Sequence, residues 1–356
     1  MKYKNVETTF ADMAMAEMKY DENYLDKVAI LLDWARIEKL LIKKISKVKA
    51  AVSATGSSAY HPLFMFKILL LQRFENMSDP QLEKALKDRL SFMRFTGIGL
   101  SDAKPDHSTI SRFRTLLVKL KLYEKLFEEV SKQLAEKGLM VKKRDHAIVD
   151  ATIISSSRRS RKVVENIEED RKEKDDDDQN GGSGSGTKTT CSDDHDAAWI
   201  KKGKKSHYGF KAHVAVDSEG FLLGGHVTPA NKSDIKELAQ VLEESNIEEK
   251  SFILADKGYA SAENRDYLKD KGHTDFIMAK ANKNKPLTPS EKLINRAISS
   301  VRYKVEQTFG ILKKHYGLSR ARYLGISKMS YEIFMCGLCM NLKKAVAKVK
   351  LCHFWG

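Results

Sequence analysis

The chain has 356 residues, enough for two domains, since single cores stop growing near about 250–300 residues. It is 42% hydrophobic and 31% charged, and 63 Lys and Arg against 48 Asp and Glu leave a net charge of +15. That excess, which survives an acidic run at Glu165–Asp178, favours a polyanionic partner, nucleic acid above all; plain solubility is the competing account. No apolar run reaches the roughly 18 residues that span a bilayer, and four cysteines make no disulfide framework. The N-terminus lacks the apolar core of an export signal, so the expected setting is reduced and cytoplasmic, without membrane contact.

Residues 1–140 read as helical. Leu25, Val28, Leu32 and Ala35 recur at helical spacing and predict one helix over Asp21–Lys49. Pro62 opens a second, His61–Phe74, and Ser78-Asp79-Pro80 caps a third, Gln81–Leu90. After a loop with Gly97, Gly99 and Pro105, Asp106 caps His107–Lys119, and Tyr123–Lys137 follows, stopped by Gly138. Two short helices joined by a Gly/Pro loop suit a helix-turn-helix. Ser108, Thr109, Ser111, Arg112 and Arg114 are the small polar and cationic side chains that such a helix offers to phosphates and base edges. An amphipathic helix with a solvated basic face accounts for them equally.

At His146 the pattern changes. Ala147–Ile154 is β-rich and of strand length. Residues 156–205 form an insert with acidic residues at Asp175–Asp178 and Gly181-Gly-Ser-Gly-Ser-Gly186; too few apolar groups offset its ordering entropy, so it is expected to be disordered. Strands resume at His207–Asp217, Gly220–Val227 and Ser251–Ala255. A helix capped by Asn231 or Ser233 runs to Glu244, then come a helix at Ser261–Lys271 and a strand at His273–Ala279. Glu291–Tyr316 and Tyr331–Val349 close the chain as helices, with 346–356 as a tail. This order gives an α/β domain with a central mixed sheet over 141–345.

Asp150 lies inside the first strand and Asp256 ends another, where open α/β sheets collect ligands. A carboxylate in an apolar strand needs a reason. Two on neighbouring strands make a hard-oxygen site suited to Mg²⁺; a turn cap at Asp256 and a local Lys partner for Asp150 are the simpler alternatives. In the last long helix but one, Arg302, Glu306 and Lys313 fall at about 0°, 40° and 20° around the axis, a narrow stripe. Val301, Val305, Phe309 and Leu312 fill the adjoining face that can pack on the sheet. Glu306 is then a third metal ligand, with Arg302 and Lys313 neutralising phosphate, unless the stripe is only a surface salt-bridge row. Arg320 and Arg322 form a backbone-contacting patch or a solvated basic loop. Lys211 and His213 share a strand face, with His213 read as a packing residue, and Cys336 and Cys339 read as packing thiols rather than zinc ligands.

Arg302-x₃-Glu306-x₆-Lys313 resembles the Tyr-x₂-Arg-x₃-Glu-x₆-Lys signature of bacterial insertion-sequence transposases with a DDE triad; the tyrosine position is Ser299 here. The insertion-sequence-five branch is the most similar, through Tyr208-Gly-Phe-Lys-Ala-His-Val-Ala-Val-Asp217, Ala255-Asp256-Lys-Gly-Tyr259, Val305-Glu306-Gln-Thr-Phe309-Gly and Asp106-His-Ser-Thr-Ile-Ser-Arg-Phe-Arg114. The resemblance implies an RNase H-like catalytic domain behind an all-helical N-terminal DNA-binding domain. It implies Asp150, Asp256 and Glu306 as a triad for Mg²⁺, with Mn²⁺ able to substitute, and phosphodiester cleavage followed by strand transfer. The partners implied are double-stranded transposon ends and target DNA, bound by a homo-oligomer. A nuclease of the same fold without strand transfer and a DNA-binding regulator are the alternatives.

Overall fold

The computed structural model describes residues 23–49, 59–142, 144–158, 162–166, 187–191, 194–281 and 286–352. Among them seven helices precede the first strand of the main sheet: α1 (Tyr24–Leu31), α2 (Trp34–Lys49), α3 (Pro62–Phe74), α4 (Asp79–Asp88), α5 (Leu90–Thr96), α6 (His107–Lys119) and α7 (Leu122–Glu136). The caps read from sequence act as such: Ser78 with Gln81 closes a capping box on α4, and Asp106 accepts the Thr109 N–H at 2.7 Å on α6. Two elements depart from expectation. The helix over 21–49 breaks at Leu32–Asp33, because the Asp33 carboxylate accepts the Ala35 and Arg36 N–H groups and starts a new helix. The span after Leu90 is helical to Thr96, ended by Gly97 at φ 79°.

The main sheet is mixed. Its strands are β1 (His146–Ser155), β4 (Ala198–Lys202), β5 (Lys205–Val216), β6 (Leu222–Pro229), β7 (Phe252–Ala255) and β8 (Thr274–Ile277), and the order is β4-β5-β1-β7-β8, with β6 also paired to β5. β1 is central, antiparallel to β5 and parallel to β7. β4 and β6 share the far edge of β5, one along each half. The span 156–205 is therefore not structureless where it is described: β2 (Lys162–Asn166) and β3 (Thr187–Cys191) form a two-stranded ribbon, and β4 joins the sheet edge. Its lysine-rich sequence hides β4, whose register comes from pairing with β5. The Gly-Ser run and most of the acidic cluster lie outside the described residues.

Helix α8 (Leu238–Glu244) follows a 3-10 turn at Asp234–Glu237, and α9 (Ala262–Asp270) starts on a Ser261 cap. α10 (Pro289–His315) opens on a Thr288–Glu291 capping box and meets the sheet with a row of Ile298, Arg302, Val305, Phe309 and Leu312. That row runs through Arg302 instead of Val301, which is 39% exposed. α11 (Ile326–Cys352) packs on α1, α3, α7 and β6, so one hydrophobic core runs from the helices into the sheet. It continues past 346, where a tail was expected, and buries Cys336 and Cys339 as free thiols. Among the described residues no helix is long and apolar enough to cross a membrane.

Candidate active site

Asp150 sits on β1 one residue beyond the point where β7 ends, Val149 being paired with Ala255. β7 therefore delivers Asp256 beside Asp150 at the sheet's edge, and α10 lies across both. The Asp150 carboxylate accepts the Ala151 N–H at 2.8 Å and the Arg302 Nη2 at 3.0 Å. Nη1 of the same guanidinium stands 3.6 Å from Asp256 Oδ1, so one buried cation bridges two carboxylates. Asp256 also caps its turn, accepting the Lys257 N–H at 2.7 Å, as the turn-cap account expects. Glu306 is exposed, one helical turn beyond Arg302. Burial raises the Asp150 carboxyl pKa; Arg302 and the Ala151 N–H oppose the shift, while Asp256 and Glu306 add to it, so all three carboxylates share one field.

Other predicted residues fall elsewhere. Lys313 is half-buried further along α10, with burial and then Lys202 lowering its ammonium pKa. His213 and Lys211 lie on the opposite sheet face, since Asp150 pairs with Val214 while Ala151 pairs with His213. There Lys211 meets Asp234 at 2.9 Å, and His213 bonds Thr228 Oγ1 at 2.9 Å and stacks on His226. On α6, Arg112 is exposed and Ser108, Thr109 and Ser111 are half-buried. Arg114 corrects the expectation: it is 4% exposed, bound to Asp79 and Gln72, and stacked 4.6 Å over Tyr323. A guanidinium spent on internal partners is not offered to DNA. Arg322 is likewise spent on Asn76 Oδ1, at 2.6 Å, and the Met77 carbonyl, while Arg320 is exposed and donates to the Ser157 carbonyl.

One residue with no role assigned from sequence faces the acids. Tyr259 is 1% exposed, its hydroxyl has no hydrogen-bond partner among the described residues, and burial, Asp150, Asp234 and Asp256 all raise its phenol pKa, with Arg302 opposing. Its only sequence signal is its place three residues after Asp256. Ser299, at the position where the signature has tyrosine, is exposed and contacts Met278 Sδ at 3.8 Å.

Residues 141–342 match a family model described as a transposase DDE domain, and residues 14–116 match one described as a transposase domain. The chain is a DDE transposase. It is 39% identical over 238 residues to the transposase for insertion sequence element IS1106 of Neisseria meningitidis serogroup B, covering 67% of this chain and 78% of that protein. Among solved structures, the piggyBac transposase synaptic complex with hairpin DNA shares 11% identity over 92% of this chain and 81% of that one, at a TM-score of 0.41; a pre-cleavage Mos1 transpososome gives 0.21. At those scores no common fold is implied.

A bacterial insertion-sequence transposase of this family cleaves and transfers DNA, and the family uses divalent metal ions. The donor chemistry of this transposase fits such an ion: Asp150 and Asp256 offer hard oxygens to a single point where a positive charge already stands. Among the described residues no three side chains form a ready-made cage. Glu306 stands exposed outside the pair that Arg302 joins.

Proposed function

We propose that Asp150, Asp256 and Glu306 are the metal-holding triad of this transposase, on an RNase H-like core over residues 141–345, with Mg²⁺ as the working ion and Mn²⁺ able to replace it. Convergence of Asp150 and Asp256 on Arg302 is the observation that carries this reading. Asp150, Asp256 and Glu306 would hold divalent ions, which would supply Lewis-acid chemistry for cleavage and transfer at phosphorus. The protein's own residues set the stage. The Ala151 N–H fixes the Asp150 carboxylate, the turn at Lys257 fixes that of Asp256, and α10 aims Glu306 along the border of its buried face. Arg302, freed from the acids, is then placed to neutralise phosphate, as is Lys313.

In the same reading residues 1–140 form the DNA-binding unit, and α6 presents Ser108, Thr109 and Arg112 to the terminal inverted repeats, without Arg114. Arg320 joins the phosphate contacts and Arg322 does not. A homo-oligomer pairs two ends on DNA in the nucleoid. The deciding experiment incubates purified protein with Mg²⁺ and a duplex carrying one inverted repeat. The parent nicks the end and joins it to target DNA, whereas Asp256→Asn binds it but leaves it intact. An Asn variant that cuts like the parent overturns the triad.

A further inference from the structure

β4 and β5 meet in a hairpin whose tip reads Lys201-Lys202-Gly203-Lys204-Lys205, turned by Gly203 at φ 61°. All four lysines are exposed, and among the described residues none has an ion-pair partner. Four like charges in five residues repel one another, and a fold keeps such a cluster at little benefit to its own stability. The tip also projects beyond its neighbour: β1 ends at Ser155, opposite Gly209, while β5 begins at Lys205. On α10, burial and then Lys202 lower the Lys313 ammonium pKa, so Lys313 feels the charge of the hairpin, and among the described residues no carboxylate pairs with it.

Register relates this patch to the acids. Val214 is the partner of Asp150, and Lys205 lies nine residues before it on β5, so the tip stands about 30 Å along the sheet from Asp150. One turn of B-DNA rises about 34 Å. A duplex laid along β5 therefore turns the same side of its backbone to Asp150 and, one turn away, to the hairpin. Trp199 and Lys201 share the sheet face of Asp150, because Tyr208 and Ser206, their partners, sit an even number of residues from Val214. Trp199 is 46% exposed and braced on Tyr208 at 5.3 Å, an apolar prop for sugar and base edges.

We propose that the β4–β5 hairpin is a DNA-backbone clamp of this transposase, gripping phosphates about one helical turn from the bond that is cut. Its distance from the cut rests on the triad reading; its role as a phosphate contact does not. The test combines Lys201→Gln, Lys202→Gln, Lys204→Gln and Lys205→Gln in the full chain and measures binding to an end-bearing duplex over a salt series, with a chelator present so that no chemistry intervenes. Each phosphate contact contributes about 0.9 to the slope of log affinity against log salt, so the fourfold variant should lose about 3.6 from that slope and at least tenfold in affinity at moderate salt. The fourfold Lys→Arg variant should keep the parent's slope. Backbone footprinting should show protection about nine or ten base pairs from the cut in the parent, missing in the Gln variant. Unchanged thermal unfolding verifies the fold, as expected for exposed unpaired side chains. A Gln variant with the parent's slope and footprint overturns the clamp. Loss of the slope with protection at another distance keeps the phosphate contact and overturns the one-turn placement.

Discussion

Arg302 is 7% exposed and sits between two carboxylates that otherwise face each other across a short gap. Removing one partner of such a pair leaves a poorly solvated charge behind, which costs about 3 kcal/mol. Arg302→Gln should therefore lower the melting temperature in chelator, and Mg²⁺ or Mn²⁺ should raise it more in the variant than in the parent, because the ion takes over the missing charge. Equal metal-induced shifts in the two proteins would show that guanidinium and ion do not compete for one place. On the other face of the sheet His213 makes a different prediction. Burial, then His226 and Lys211, lower its pKa to about 3 from an ordinary 6.5, with the Asp234 carboxylate 3.9 Å from Nδ1 but not bonded to it. The native state keeps this ring neutral, while the unfolded chain protonates it below pH 6.5. The stability it contributes is present above pH 6.5 and is lost as pH falls toward 3, by up to about 1.4 kcal/mol per pH unit. His213→Asn should flatten that part of a denaturant-midpoint profile; an unchanged slope would place the titration elsewhere.

Helix α6 shows how one element can carry two kinds of arginine. Arg112 points to solvent, while Arg114 closes a buried network with Asp79, Gln72 and Tyr323. Arg112→Ala should leave the melting temperature unchanged and weaken end binding. Arg114→Ala should cost about 3 kcal/mol of stability, since it strands Asp79 beside a buried ring. If both variants melt like the parent, the network contributes nothing. Spacing puts Arg114 on the face of Ile110 and Leu117 and Arg112 off it, but a basic residue type argued for solvent, and only the packing of α4 and the 319–325 loop against α6 supplies its partners. Much else was legible. The β-rich run at Ala147–Ile154, the caps at Ser78 and Asp106 and the Val305, Phe309 and Leu312 part of the row on α10 follow from local patterns that tertiary packing left unopposed. The triad candidates came from residue type and position together. What stayed hidden needed a partner to become visible: β4 depends on pairing with β5, the break at Asp33 on a carboxylate outcompeting a continuous apolar stripe, and the orphan Tyr259 hydroxyl on the closeness of three acids.

At the scale of the molecule, α11 joins what composition and motif divide. It packs on α1, α3 and α7 from the helical half and on β6 from the sheet, and Glu332 meets Arg73 of α3 at 2.8 Å with both side chains buried. Heating should therefore give a single calorimetric transition; two resolved peaks would show the halves melting apart. Glu332→Ala should lower that transition sharply, by about 4 kcal/mol of stability, as Arg73 keeps its charge inside the protein. The position of α11 in the chain has a consequence for synthesis. A ribosome releases residues in order, at about 5–20 per second, and the helix that completes the core comes out after every element it covers. Until it clears the exit tunnel, α3, α7 and β6 have an open apolar side, so the nascent chain can hold formed helices and strands but not a closed core. A gene copy cut short after Tyr316 would yield a chain held permanently in that unfinished condition, open to proteases and aggregation, and so unable to occupy DNA ends in competition with the intact enzyme.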